Sequence, residues 1–218
     1  MPSIVLARCA LIAPFIEVLN DCGAPTERML GKFGLPEHPE LKPDDYFPLF
    51  PALQFAATAQ ASQGLTDFGF HAVQRLQVGH LSEQFQAAAR YAPTLLSVLE
   101  TFSRFVQIED NFSRFWLERH GDHLRVCSTI AGTTGMRHLE HSQWVQNVVP
   151  IYLVRQFAGP DWAPATIAFE ARYTPGVETQ ERWPCTRFLS GQKASWIDVP
   201  VSLLSLPNPN AAMSGAAA

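Results

Sequence analysis

The chain has 218 residues, 47% of them apolar and 17% charged, and a formal net charge of −4. That composition excludes a disordered chain, and an acidic balance without a basic patch argues against direct nucleic-acid binding by this segment. Four cysteines, Cys9, Cys22, Cys127 and Cys185, lie far apart with no CxxC pair, which argues against a disulfide scaffold or a cysteine zinc site and suits a reducing cytoplasm.

Residues 1–19 are apolar but lack a basic start, and Arg8 and Glu17 break the run. Neither a signal peptide nor a membrane span fits, and the stretch reads as an amphipathic first helix, clearest from Leu11 to Leu19. Asp21-Cys22-Gly23 closes it. Pro25-Thr26-Glu27 opens a second helix, with proline near the first position and a carboxylate in the first turn. Glu37 to Phe47 reads as a loop. Pro48 and Pro51 bracket the start of a third helix that ends at Gln63-Gly64. Asp67-Phe68-Gly69-Phe70 opens a short segment that closes at Val78-Gly79. Leu81 to Tyr91 is a compact helix. Thr94 is a good N-cap for the next, whose Leu95, Leu96, Val98, Leu99, Phe102, Phe105 and Val106 recur at helical spacing.

The period then changes. Asn111 to His120 and His123 to Ile130 are strand-like runs separated by Gly121-Asp122, a hairpin signal. In the second run Leu124, Val126 and Ser128 alternate with Arg125, Cys127 and Thr129, so one face is buried and the other is wet or faces a ligand. Ala131 to Gly135 is a small-residue loop. A long helix follows from near Arg137 to Gly159. It is polar at its start and apolar nearly all round after Trp144, so other layers must cover it, and Pro150 inside it predicts a kink. Thr166 to Ala171 reads as a strand. The chain is then irregular from Tyr173 until Thr186 to Leu189, with a further strand at Ala194 to Val199 and a helical turn at Pro200 to Leu204.

The expected fold is α+β: N-terminal helices packed with an antiparallel sheet that is interrupted by one long buried helix. One domain is expected over residues 1–204, followed by a linker-like tail over 205–218.

No GxSxG, P-loop, GxGxxG or HExxH motif is present. His138 and His141 share one helical turn, but no third ligand is indicated, so no metal site is expected. Glu140 has a ready role in complementing the helix dipole. Cys127 near His123 suggests a nucleophile, yet a buried cysteine explains it better. An enzyme built on His123, Cys127 or His141 lacks a nucleophile–base pair, and no cofactor is implied. Candidate ligand-binding residues are Arg125, Trp144, Tyr152 and Arg155, placed on the interior side of the helix and sheet. Trp and Tyr offer an apolar body with one polar atom, and Arg can pair a carboxylate bidentately.

Several segments in order resemble a known family. Leu30-Gly31-Lys32-Phe33-Gly34-Leu35-Pro36, Leu41-Lys42-Pro43-Asp44-Asp45 and Phe47-Pro48-Leu49 resemble the opening of the N-terminal effector-binding domain of AraC-type transcriptional regulators. The branch is the one with regulators of ornithine utilisation and virulence, not the cupin-type branch that holds the arabinose sensor. Asp67-Phe68-Gly69-Phe70-His71 resembles its FGL segment, and Tyr91-Ala92-Pro93-Thr94-Leu95-Leu96-Ser97-Val98-Leu99 its SPTL-xxAL helix. Arg137, Glu140, Gly159, Trp162, Pro164 and Ile167-Ala168-Phe169 resemble its central helix and following strand, and Trp196 to Leu204 its last strand and short helix. Phe70 departs from the usual leucine, and His80-Leu81-Ser82 stands where a second glycine is common.

The resemblance implies a bacterial, cytoplasmic, non-enzymatic domain that senses a small-molecule effector and forms a homodimer. It would contact DNA only through a C-terminal helix-turn-helix domain, which this chain lacks. The alternative is a stand-alone short form that heterodimerises with a full-length regulator and silences it.

Overall fold

The structure, a computed structural model, describes residues 4–133 and 136–209. The expected loop end at Gly135 and the part of the tail from Asn210 to Ala218 lie outside the described residues.

The first segment corrects the reading of one long amphipathic helix. Leu6–Arg8 form a strand, β1, paired antiparallel with Tyr46–Pro48, β2. The helix α1 begins only at Ala13 and runs to Asp21, with Pro14 in its first turn where the missing amide costs nothing. The helices α2 (Thr26–Phe33) and α3 (Leu49–Gln63) end at Gly34 and Gly64, each in the left-handed conformation that glycine adopts without a Cβ penalty. A six-residue helix α4 (Phe68–Val73) follows.

Glu83–Tyr91 form α5, whose N-cap Ser82 accepts the Phe85 amide. Leu95–Glu109 form α6, with Thr94 at the N-cap as the sequence predicts and Ser97 completing a reciprocal capping box. Ser113–His120 (β3) and His123–Ile130 (β4) make the predicted hairpin around Gly121. The long helix α7 spans Glu140–Ala158, three residues later in its start than expected, and contains Pro150. Thr166–Ala168 (β5), the six-residue helix α8 (Val177–Arg182), Arg187–Leu189 (β6) and Ser195–Pro200 (β7) complete the chain. The helix α8 occupies a stretch whose sequence reads as irregular.

The main sheet has the order β3-β4-β7-β5-β6. Its pairings are antiparallel except β5 with β6, which run parallel, a departure from the all-antiparallel expectation. Val126, Ile197, Val199, Ile167 and Phe169 belong to the same buried cluster as Trp144, Val148 and Ile151 of α7. A second cluster joins β1, β2 and α1–α4 around Phe15, Leu53, Phe55 and Phe68. Each fully buried side chain of this kind contributes about 1.5–3 kcal/mol relative to exposure.

The long helix is less apolar than its sequence suggests. His141, Gln143, Gln146 and Asn147 are all buried. They have structural work: Gln143 Oε1 accepts the Ala171 amide, and Asn147 Nδ2 donates to the Ala168 carbonyl, tying α7 to the end of β5. Gln146 Nε2 donates to Ser113 Oγ, which itself donates to Asp110. Buried amides of this type are tolerated because most of their polar atoms are partnered, Gln143 Nε2 being the exception among them.

Candidate functional site

Asp67 begins the site. It precedes α4 with φ +53°, a left-handed backbone that an aspartate adopts more readily than most residues. Its carboxylate accepts the Gly176 amide and the Thr179 hydroxyl, which pins the loop before α8 against the loop between α3 and α4. Gln60 of α3 accepts the Phe68 amide and holds the other side of that turn.

Between these loops and the first half of α7 lies a cavity of about 270 Å³. Asp67, Glu140, His141, Trp144 and Tyr173 line it, with Gln60, Thr66 and Gly176. Both ring nitrogens of His141 are buried without a hydrogen-bond partner, and Trp144 Nε1 and the Tyr173 hydroxyl are buried beside one another without a well-formed bond, although Tyr173 interacts with Trp144, Asp67 and Thr179. Uncompensated polar atoms in an interior are costly, and together they describe a place made to receive polar groups. Burial pushes the His141 imidazole down to about 4, helped by the nearby charge of His138 and opposed by Asp67. The ring is therefore neutral at physiological pH, offering one donor and one acceptor. Burial raises the Tyr173 phenol, and the charge of Asp67 adds to the effect, so Tyr173 keeps its proton. Phe70, Phe169 and Phe188 pack around Trp144 with ring centroids 5.1–6.1 Å away, which fixes the indole.

A smaller apolar cavity of about 70 Å³ lies beside it, lined by Phe15, Phe47, Leu53, Phe55 and Val145 with Asp110 and Gln146. His141 borders both cavities.

The structure does not bring the four sequence-predicted ligand residues together. Trp144 lines the main cavity. Tyr152 and Arg155 border a shallow groove of about 430 Å³ with Leu76, Val78 and Pro160. Tyr152 donates to the Val73 carbonyl at 2.7 Å, and Arg155 donates to the Trp162 carbonyl at 2.8 Å with its guanidinium 5.0 Å from the Trp183 ring. Arg125 corrects the interior placement. It alternates with the buried Val126, so it lies on the sheet face opposite α7, 4.0 Å above the Trp196 ring and bonded to Asp198.

Asp67, His141 and Tyr173 are the cavity residues that sequence reasoning did not assign to a ligand. In the sequence His141 stands out as half of a histidine pair and as one residue of the disfavoured enzyme reading. The structure adds a carboxylate to that pair: His138, Glu140 and His141 each offer a ligand atom, all within 4.8 Å of one another. Cys127, buried between Trp116 and Trp196 on neighbouring strands, has its thiol pushed up to about 12, chiefly by burial and then by Glu118. It is a poor nucleophile.

A family model described as the arabinose-binding domain of the AraC transcription regulator, N-terminal, matches residues 23–208. No curated protein sequence matches the chain. Among solved structures, the transcriptional regulator CdpR from Pseudomonas aeruginosa is similar, with a TM-score of 0.53 and 11% identity. The match covers 84% of this chain and 56% of that one. At this identity the likeness concerns the fold alone, and the chain spans about half the length of that regulator. No described helix is long and apolar enough to cross a membrane.

Proposed function

The chain belongs to the family of N-terminal effector-binding domains of AraC transcription regulators, and from that premise we propose that it senses a small molecule in the cavity beside the first half of α7. The domain carries out no catalysis. It works in the cytoplasm as a homodimer, and occupancy biases a two-state equilibrium that an attached DNA-binding domain reads. The matching family model describes an N-terminal domain of a transcription regulator, which supports an attached domain of that kind.

One observation carries the pocket assignment: His141, Trp144 and Tyr173, each with a buried polar atom short of a well-formed hydrogen bond, line one cavity with Asp67. Its volume suits a compact polar effector. The ligand would accept from Trp144, exchange hydrogen bonds with His141 and Tyr173, and place a donor or positive group toward Asp67.

The test is a thermal-shift screen of small polar metabolites, followed by calorimetry on variants. Tyr173→Phe and Asp67→Asn are expected to abolish the shift of a true effector, while Tyr152→Ala and Arg155→Ala leave it intact. The reverse pattern would move the pocket to the groove near Pro160. The dimer is checked by sedimentation velocity, where a mass near 24.2 kDa would rule it out for this domain.

A further inference from the structure

We propose that His138, Glu140 and His141 bind one divalent transition-metal cation at the N-terminal turn of α7. The inference needs only these three side chains, of which Glu140 and His141 also line the proposed effector cavity.

The geometry is already close. His138 Nδ1 lies 3.6 Å from Glu140 Oε1, and His141 Nε2 lies 3.9 Å from the same oxygen. The two imidazoles are nearly parallel, at 20°, with centroids 6.5 Å apart. All three ligand atoms fall within 4.8 Å of one another. A tetrahedral zinc site with bonds of about 2.0–2.2 Å brings ligand atoms to about 3.3–3.5 Å apart. The required closure is a rotation of His138 and Glu140, whose side chains are partly exposed.

His141 supplies the independent observation. It is 2% exposed, and both of its ring nitrogens lack a hydrogen-bond partner. A buried imidazole with an unpartnered nitrogen 3.9 Å from a carboxylate is a preformed ligand. The packing that fixes it is tight, since the backbone of Gly69 passes directly against it. His138 sits at φ +65°, outside the ordinary range for a residue with a side chain, and this turn is what brings its ring beside His141.

The donor set selects the metal. Two imidazoles and one carboxylate suit zinc and its neighbours, whereas magnesium and calcium prefer oxygen ligands. The helix N-terminus opposes a cation, and the carboxylates of Glu140 and Asp67 offset it. Three protein ligands leave a coordination position open. Glu140 and His141 also line the 270 Å³ cavity, so the cation borders it.

The experiment uses the untagged chain, freed of metal with EDTA and dialysed. Zinc chloride is titrated by calorimetry, and cobalt chloride is followed by visible absorption. His138→Ala and Glu140→Gln are compared with the parent, and thermal unfolding of each metal-free protein verifies its fold. The expected result is one zinc equivalent per chain, tetrahedral cobalt bands, no response to magnesium, and at least about tenfold weaker binding in each variant. Absence of zinc binding in the parent would overturn the proposal. Equal binding in parent and variants would also overturn it, by assigning the zinc to other surface histidines.

Discussion

Gly69 of α4 lies directly against the backbone of His141 on α7. A Cβ on Gly69 would stand 2.9 Å from His141 Cα and 3.2 Å from both His141 Nδ1 and Trp144 Cδ1. Replacing a helical glycine by alanine normally gains about 1 kcal/mol. Here the obstacle is backbone, which cannot rotate away, and overpacking costs about 1–3 kcal/mol. Gly69→Ala is therefore expected to destabilise the domain, with a lower urea midpoint and an unchanged m-value. It should also displace His141 and weaken effector binding more than the stability loss alone explains. A stabilised variant would mean that α4 is free to slide along α7.

A second prediction concerns Arg8. Its guanidinium bonds Glu109 at 2.7 Å, with both side chains almost fully buried, and Asp44 at 2.7 Å, where the partner is exposed. Burial opposes the Arg8 charge, but the bonds to Glu109 and Asp44 outweigh it and raise its pKa. Glu109 also accepts the Ser82 amide at 2.8 Å, so one buried pair joins β1, the end of α6 and the start of α5. Removing one member of a buried ion pair costs about 3–5 kcal/mol, and the lower end of that range applies here because Asp44 still partners Arg8. Glu109→Ala is expected to reach that range in chemical denaturation. Asp44→Ala, at the solvated end, is expected to cost less than about 1 kcal/mol.

The difference between what the sequence shows and what it hides follows from range. Thr94 and Ser97 cap α6 through neighbours three positions apart, and the Gly121 hairpin is equally local, so both are legible in the chain. The strands β1 and β2 are three residues each and exist only because they find one another, so no periodicity announces them. The helix α8 is similarly short. On α7, the apolar count conceals Gln143, Gln146 and Asn147, whose partners lie on β3, β4 and at the end of β5. The meeting of Asp67 with Gly176 and Thr179, and of His141 with Tyr173 across one cavity, is tertiary throughout. The family resemblance carried the function because it condenses such contacts into order and spacing. Arg125 was misplaced for the converse reason: alternation showed two sheet faces but not which one α7 covers.

The cysteines offer a chemical check on burial. Cys9 and Cys127 are buried, and Cys22 and Cys185 are exposed. Burial raises the Cys9 thiol and pushes Cys127 up to about 12. Reaction requires the thiolate and access to it. Native protein at pH 8 is expected to titrate two thiols rapidly with an aromatic disulfide reagent, and all four after denaturation. Rapid labelling of Cys127 in native protein would show that the outer face of the sheet opens readily.

The last prediction addresses where the folded unit ends. Asn208 Nδ2 donates to the carbonyls of Ala89, Arg90 and Ala92 at 2.8–3.3 Å, covering the otherwise open end of α5. Nearby, the Leu95 and Leu96 amides at the start of α6 donate to the Leu206 and Leu204 carbonyls. Residues 204–208 thus satisfy both helix termini at the α5–α6 corner, where backbone groups have no partner within their own helix. Uncapping buried carbonyls costs about 1–3 kcal/mol. Asn208→Ala is expected to lower the melting temperature by roughly 2–12 °C. Asn208→Asp should do worse, because a carboxylate would face three carbonyl oxygens. A chain ending at Leu204 should lose more than either substitution, whereas one ending at Pro209 should match the parent. Equal stability of the two shortened chains would mean that water replaces Asn208 without cost. A large difference makes residues 205–208 part of the sensor, and couples any segment that follows them directly to the α5–α6 corner.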